Sequence, residues 1–134
     1  MACPYFYPVE ACAGSGMLPL GDWWKGECHA VPGAPEEAGG TGCDRGCNLG
    51  YARGACVRFP AGAGPDAVRF TISSHESTVI GIYYVVERDH HPFAHGRLEY
   101  SLTASAFVAP PEAAALARQA EAYVMSYLRR KEES

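Results

Sequence analysis

Six cysteines hold most of the chemical potential of this sequence, and their surroundings divide them. Cys3 lies in "CPYFYP", Cys28 in "DWWKGECHA", and Cys47 and Cys56 close the two ends of "CNLGYARGAC". Aromatic residues, proline and glycine around these four offer a thiolate a dry wall and a fixed backbone approach. Cys12 in "EACAGSG" and Cys43 in "TGCDRG" stand among small and polar residues instead. Four thiolates complete either a tetrahedral zinc site or an iron-sulfur cluster. Cys3, Cys28, Cys47 and Cys56 are therefore the expected ligands.

Spacing bears on which metal they hold. Zinc knuckles deliver two ligands from one tight C-x-x-C turn, and no such pair occurs here; Cys43 and Cys47 come nearest. Widely separated single cysteines suit a cluster whose corners are reached from different loops, and Cys-Pro recurs in ferredoxin-type runs. The compact ferredoxin spacing is absent too. The expected cofactor is an iron-sulfur cluster of the 4Fe-4S type, with zinc as the alternative. A C-x-x-C-H haem attachment fails, because Lys25 stands three residues before Cys28. "CNLGYARGAC" resembles the first part of a cysteine-rich RNA-binding finger over about ten residues, but no Cys and His follow Cys56 at the short spacings such a finger uses.

A chain of 134 residues is one domain by size and large enough for a core that needs no staples. It is 48% hydrophobic and 19% charged, without an apolar run long enough to span a bilayer. "MACPYFYPVEACAG" has neither a basic leader nor a continuous apolar core, so a cytoplasmic location is expected. A reducing cytosol turns the cysteines from candidate disulfides into candidate ligands. The net charge of -4, with Arg129, Arg130 and Lys131 as the one basic block, gives nucleic-acid binding no support. A protein redox or interaction partner is expected, and neither nucleic acid nor membrane.

The elements that must position the thiols divide the chain in two. Residues 1–65 are rich in Gly, Pro and Cys and show neither a period of 2 nor one of 3.6, which predicts an irregular cofactor-binding half. Residues 66–134 read regularly. "DAVRFTIS" alternates Val68, Phe70 and Ile72 against Arg69, Thr71 and Ser73; "STVIGIYYVVERD" sets Ile80, Ile82, Tyr84 and Val86 against Val79, Tyr83 and Val85; "HGRLEYSLTASAFV" supplies a third strand. Ser74 to Ser77 suit a hairpin connection. "PPEAAALARQAEAYVMSYLRRKEES" predicts an amphipathic helix with Leu116, Ala120, Tyr123, Val124, Tyr127 and Leu128 on its apolar face. The expected architecture is α+β: an irregular Cys-rich N-terminal half, a three-stranded antiparallel meander and one C-terminal helix.

"ERDHHPFAHG" gathers Glu87, Asp89, His90, His91 and His95 between the second and third strands. Its spacing matches no metal triad, and a polar hairpin loop bounded by Pro92 and Gly96 accounts for it. The functional version gives His91 or His95 a supporting role, donating a hydrogen bond to cluster sulfur. A phosphate loop, a dinucleotide fingerprint and a G-x-S-x-G elbow are all missing. The expected function is to hold an iron-sulfur cluster for electron transfer or redox sensing. The alternatives are a zinc-stabilised interaction module and a thiol enzyme using Cys28 beside His29, and an electron carrier or binding module fits better than an enzyme.

Overall fold

The computed structural model describes residues 2–11, 20, 24–30, 36–38, 47, 50 and 65–133. Seven strands and a helix appear among them: β1 (Phe6–Ala11), β2 (Trp24–Cys28), β3 (Glu36–Ala38), β4 (Ala67–Glu76), β5 (Val79–Arg88), β6 (His91–Ser101), β7 (Ala106–Phe107) and α1 (Ala114–Glu133). They form an antiparallel sheet in the order β1-β2-β3, a second in the order β4-β5-β6-β7, and one C-terminal helix. This mostly β architecture corrects the expected three-stranded meander beside an irregular half. Among the described residues no helix is long and apolar enough to cross a membrane.

The larger sheet follows the alternation of its sequence. Phe70 pairs with Tyr84, and Ile72 with Ile82, which pairs in turn with Leu98; Ile80 pairs with Tyr100. Most of these side chains are buried, whereas Arg69, Thr71, Tyr83, His95 and Arg97 project from the opposite, exposed face. A one-residue slip would invert the two faces, so burial fixes the register.

Turn chemistry makes the strands longer and more numerous than their patterns suggest. Ser74, His75 and Glu76 belong to β4, and the first hairpin turns at Ser77 and Thr78, with Ser77 at φ 55°. The histidine segment is not a loop either. β5 runs to Arg88, the chain reverses at Asp89 (φ 51°) and His90 (φ 63°), and β6 begins at His91. Two consecutive positive φ values define the tight turn whose twist matches the flanking strands. The buried Asp66 supports it by accepting a 2.7 Å hydrogen bond from the Asp89 amide. Pro92 is tolerated because it lies beside a bulge, on the part of β6 that β7 does not reach.

The expected third strand breaks at Ser101. Its hydroxyl accepts from the Ala104 amide at 3.2 Å and meets the Thr103 hydroxyl at 3.0 Å. This local alternative to ladder pairing turns the chain and returns Ala106–Phe107 as a fourth strand.

In the N-terminal half, prolines and a glycine conceal a sheet. β1 contains Pro8, which a central strand would exclude, but β1 is an edge and its register shifts between Pro8 and Glu10. Gly26 of β2 pairs with Pro8, and a β-carbon there would be driven into the Tyr7 carbonyl and to 2.9 Å from the Pro8 Cα. Close backbone approach, rather than flexibility, accounts for that glycine. Phe6, Leu20 and Trp24 anchor this sheet in the same core as Phe70, Ile80 and Ile82.

Helix α1 serves both sheets. Ala120 and Val124 are fully buried; Leu116, Tyr123, Tyr127 and Leu128 pack against the core, and Tyr123 stacks on Phe70 with centroids 5.7 Å apart. The predicted stripe is present, but the helix begins at Ala114, so Pro110, Pro111 and Glu112 precede it. On its N-terminal half Arg118 donates to the Pro8 and Val9 carbonyls, at 2.5 and 2.9 Å, and pairs with Glu121.

Packing of this kind has a measurable pH signature. Burial raises the Tyr123 phenol above its ordinary 10.0, with Tyr127 adding to the shift and a hydrogen bond with the Ile72 backbone opposing it. Burial, then the Glu121 carboxylate, raises Tyr100 likewise. Each phenol must stay neutral to remain packed, while in the unfolded chain it ionises near pH 10. Their contribution is fully present below that pH and is lost as pH rises through the higher folded values. Urea midpoints should hold from pH 8 to 9.5 and fall by pH 11. In Tyr123→Phe that fall should be shallower, and an unchanged fall would refute the assignment.

Candidate functional site

Three segments converge on residues 2–6. Ala2 forms a two-way bridge with Val68 of β4, donating at 2.6 Å and accepting at 2.7 Å. Cys3 then opens a turn in which Pro4 takes the position that its fixed φ favours and the Phe6 amide closes back on the Cys3 carbonyl at 3.1 Å. The Cys3 amide donates to the Cys47 carbonyl at 3.0 Å. Beyond the turn, the His29 amide donates to the Tyr5 carbonyl at 2.8 Å, and Phe6 pairs with Cys28.

Three of the four expected ligands are thus attached to one turn by backbone pairing. Cys3 is buried; Cys28 and Cys47 are half-buried, and Cys47 packs against the core cluster that includes Cys3. Cys56, Cys12 and Cys43 lie outside the described residues. Among the described residues, no group of three or more His, Cys, Asp or Glu side chains is arranged to hold a metal ion. The convergence is one of backbones.

His29, next to Cys28 in sequence, is engaged elsewhere. Its Nε2 lies 3.0 Å from Glu27 Oε1 and its ring stacks on Tyr7 at 5.0 Å, nearly parallel. Neighbouring residues of an extended chain point to opposite sides, which explains why ring and thiol diverge. His91 and His95 lie outside the grouping around Cys3. Both are exposed on β6 of the other sheet, where His91 pairs with Arg88 and His95 with Val85, its ring 5.8 Å from that of Tyr83.

One residue with a role here went unnoticed in the sequence. Gln119 of α1 is fully buried, and its Nε2 donates to the Cys3 carbonyl and to the Phe6 carbonyl, both at 2.7 Å. Its Oε1 is buried and has no hydrogen-bond partner among the described residues. A signal did exist. Gln119 falls between Leu116 and Tyr123 on the apolar stripe, and a polar residue there needs a buried partner.

Among the described residues these features define a mostly β arrangement of two antiparallel sheets and the helix they share, with a cysteine-bearing turn at their junction. No known family matches the sequence, and neither the curated proteins nor the solved structures yielded a match. The chemistry of the turn has to be argued from its own residues.

Proposed function

We propose that this protein holds a thiolate-ligated metal centre at the Cys3 turn, an iron-sulfur cluster that serves electron transfer or redox sensing. The observation that carries the reading is the 3.0 Å hydrogen bond from the Cys3 amide to the Cys47 carbonyl, beside the pairing of Phe6 with Cys28. Segments that carry cysteines distant in sequence are joined at one turn by backbone pairing, and two sheets and a helix hold that turn. Cys56 is the fourth ligand in this reading. A cluster is favoured over zinc because its ligands come singly from separate segments, and no turn offers two at the knuckle spacing. The same reading places the protein in a reducing, cytoplasmic compartment with a protein redox partner.

Purification without oxygen, followed by an absorption spectrum and analysis of iron, acid-labile sulfide and zinc, tests the proposal. A brown protein containing iron and sulfide is the expected result. A colourless protein with stoichiometric zinc that unfolds on chelation would instead establish an interaction module. A protein that takes up neither metal would overturn both readings.

A further inference from the structure

A polar contact specified from two directions belongs to a residue outside the cysteine set. Gln119 has no exposed surface, yet it keeps a carboxamide on a helix whose Ala120 and Val124 belong to the apolar core. Its orientation is unambiguous, since both groups within reach of Nε2 are carbonyls, which accept only, so the nitrogen must face them. Oε1 is left without a partner among the described residues as a result, an arrangement that costs stability wherever it occurs. Two donated bonds are what the buried amide supplies in return. Both end on the turn that carries Cys3, one at each end of it.

We infer that Gln119 is the positioning residue of the metal centre: it clamps the Cys3 and Phe6 carbonyls so that helix α1 sets the conformation in which Cys3 is presented. The inference rests on the proposed metal-binding role, which it deepens. The Cys3 backbone is then held from three sides. Its amide is tied to Cys47, its carbonyl accepts from both Phe6 and Gln119, and the residue before it is bridged to β4. The Phe6 amide closes the turn itself and the Cys3 amide ties it to Cys47, whereas the Gln119 bonds tie the turn to the helix. Removing them should loosen Cys3 while the remainder of the fold stays assembled.

The test uses the full chain, stripped of metal and kept reduced. Gln119→Met removes both donors at similar volume, and Gln119→Asn keeps the amide but is one methylene too short to reach both carbonyls. Val124→Ala is the control, a cavity in the same buried core and five residues further along the same helix, which leaves both Gln119 hydrogen bonds in place. Iodoacetamide labelling of Cys3, followed by mass spectrometry, reports opening of the turn, and circular dichroism reports the fold. Losing two hydrogen bonds of ordinary net strength should raise the Cys3 labelling rate roughly tenfold or more in Gln119→Met, and losing at least one of them should raise it by roughly threefold or more in Gln119→Asn. Val124→Ala should stay near the parent rate. On anaerobic reconstitution with ferrous iron and sulfide, the Gln119 variants should retain less of both than Val124→Ala does.

Equal Cys3 labelling in parent and Gln119 variants would overturn the inference, as would a rise in Val124→Ala of the same size. Loss of the whole fold in Gln119→Asn, with Val124→Ala still folded, would also overturn it by making Gln119 a residue of general stability. If the parent chain takes up no iron and sulfide, the metal-binding proposal fails, while the labelling ratio still decides whether Gln119 holds the turn.

Discussion

Phe6→Ala is expected to cost about 3 to 5 kcal/mol, the range for removing a buried aromatic side chain from a core that cannot fully collapse around the gap. Phe6 is 1% exposed and packs in the cluster that joins both sheets to α1. Collapse is hindered because the Phe6 backbone is committed on several sides: its amide to the Cys3 carbonyl, its carbonyl to Gln119, and its strand position to Cys28. Small domains are stable by roughly 5 to 15 kcal/mol, so this one change can consume much of the total. Urea unfolding measures it. Phe93→Ala provides the contrast, because Phe93 is 55% exposed and its loss should shift stability by no more than about 0.5 kcal/mol. Equal effects from the two would mean that the N-terminal sheet does not share a core with the rest.

On the proposed metal-centre reading, Cys47→Ser is expected to abolish cofactor retention, with loss of most of the iron, sulfide and visible absorption that the reading assigns to the parent, while the far-ultraviolet spectrum stays close to that of the parent. Serine keeps the backbone carbonyl that accepts from Cys3, so the turn is preserved and only the thiolate is removed. A hydroxyl is a far poorer ligand than a thiolate at neutral pH, which makes the change chemically specific. Cys3→Ser should behave alike for the centre and cost some stability too, since Cys3 is buried. Cys12→Ser and Cys43→Ser should leave the cofactor in place. Full retention in Cys47→Ser, or loss in Cys43→Ser instead, would move the centre to a different ligand set.

How far these sites could be read without the structure depends on the distance over which each signal acts. The faces of β4, β5 and β6 were legible because alternation is local: Val68, Phe70 and Ile72 declare their side within a few residues. The apolar stripe of α1 was legible for the same reason. β1 and β2 were not, since Pro8 and Gly26 count against a strand until the two are set opposite each other, where edge position and close approach make both suitable. The histidine segment misled similarly. His90 and Asp89 look like loop residues, and only their backbone angles distinguish a two-residue turn from a longer connection.

The sequence alone determined the regular second half: which residues of the sheet and the helix face inward, through periodicities that the backbone geometry imposes on any chain. It also singled out, by residue type, the thiols worth considering. Tertiary structure alone decided that three described segments of the first half pair into a sheet, that the Cys3 amide meets the Cys47 carbonyl, and that the amide of Gln119 is aimed at the Cys3 turn. The physical reason is sequence separation. A pairing between residues 3 and 47, or between 3 and 119, leaves no periodic trace in either segment, because each satisfies its hydrogen-bonding need at a partner that only folding brings near.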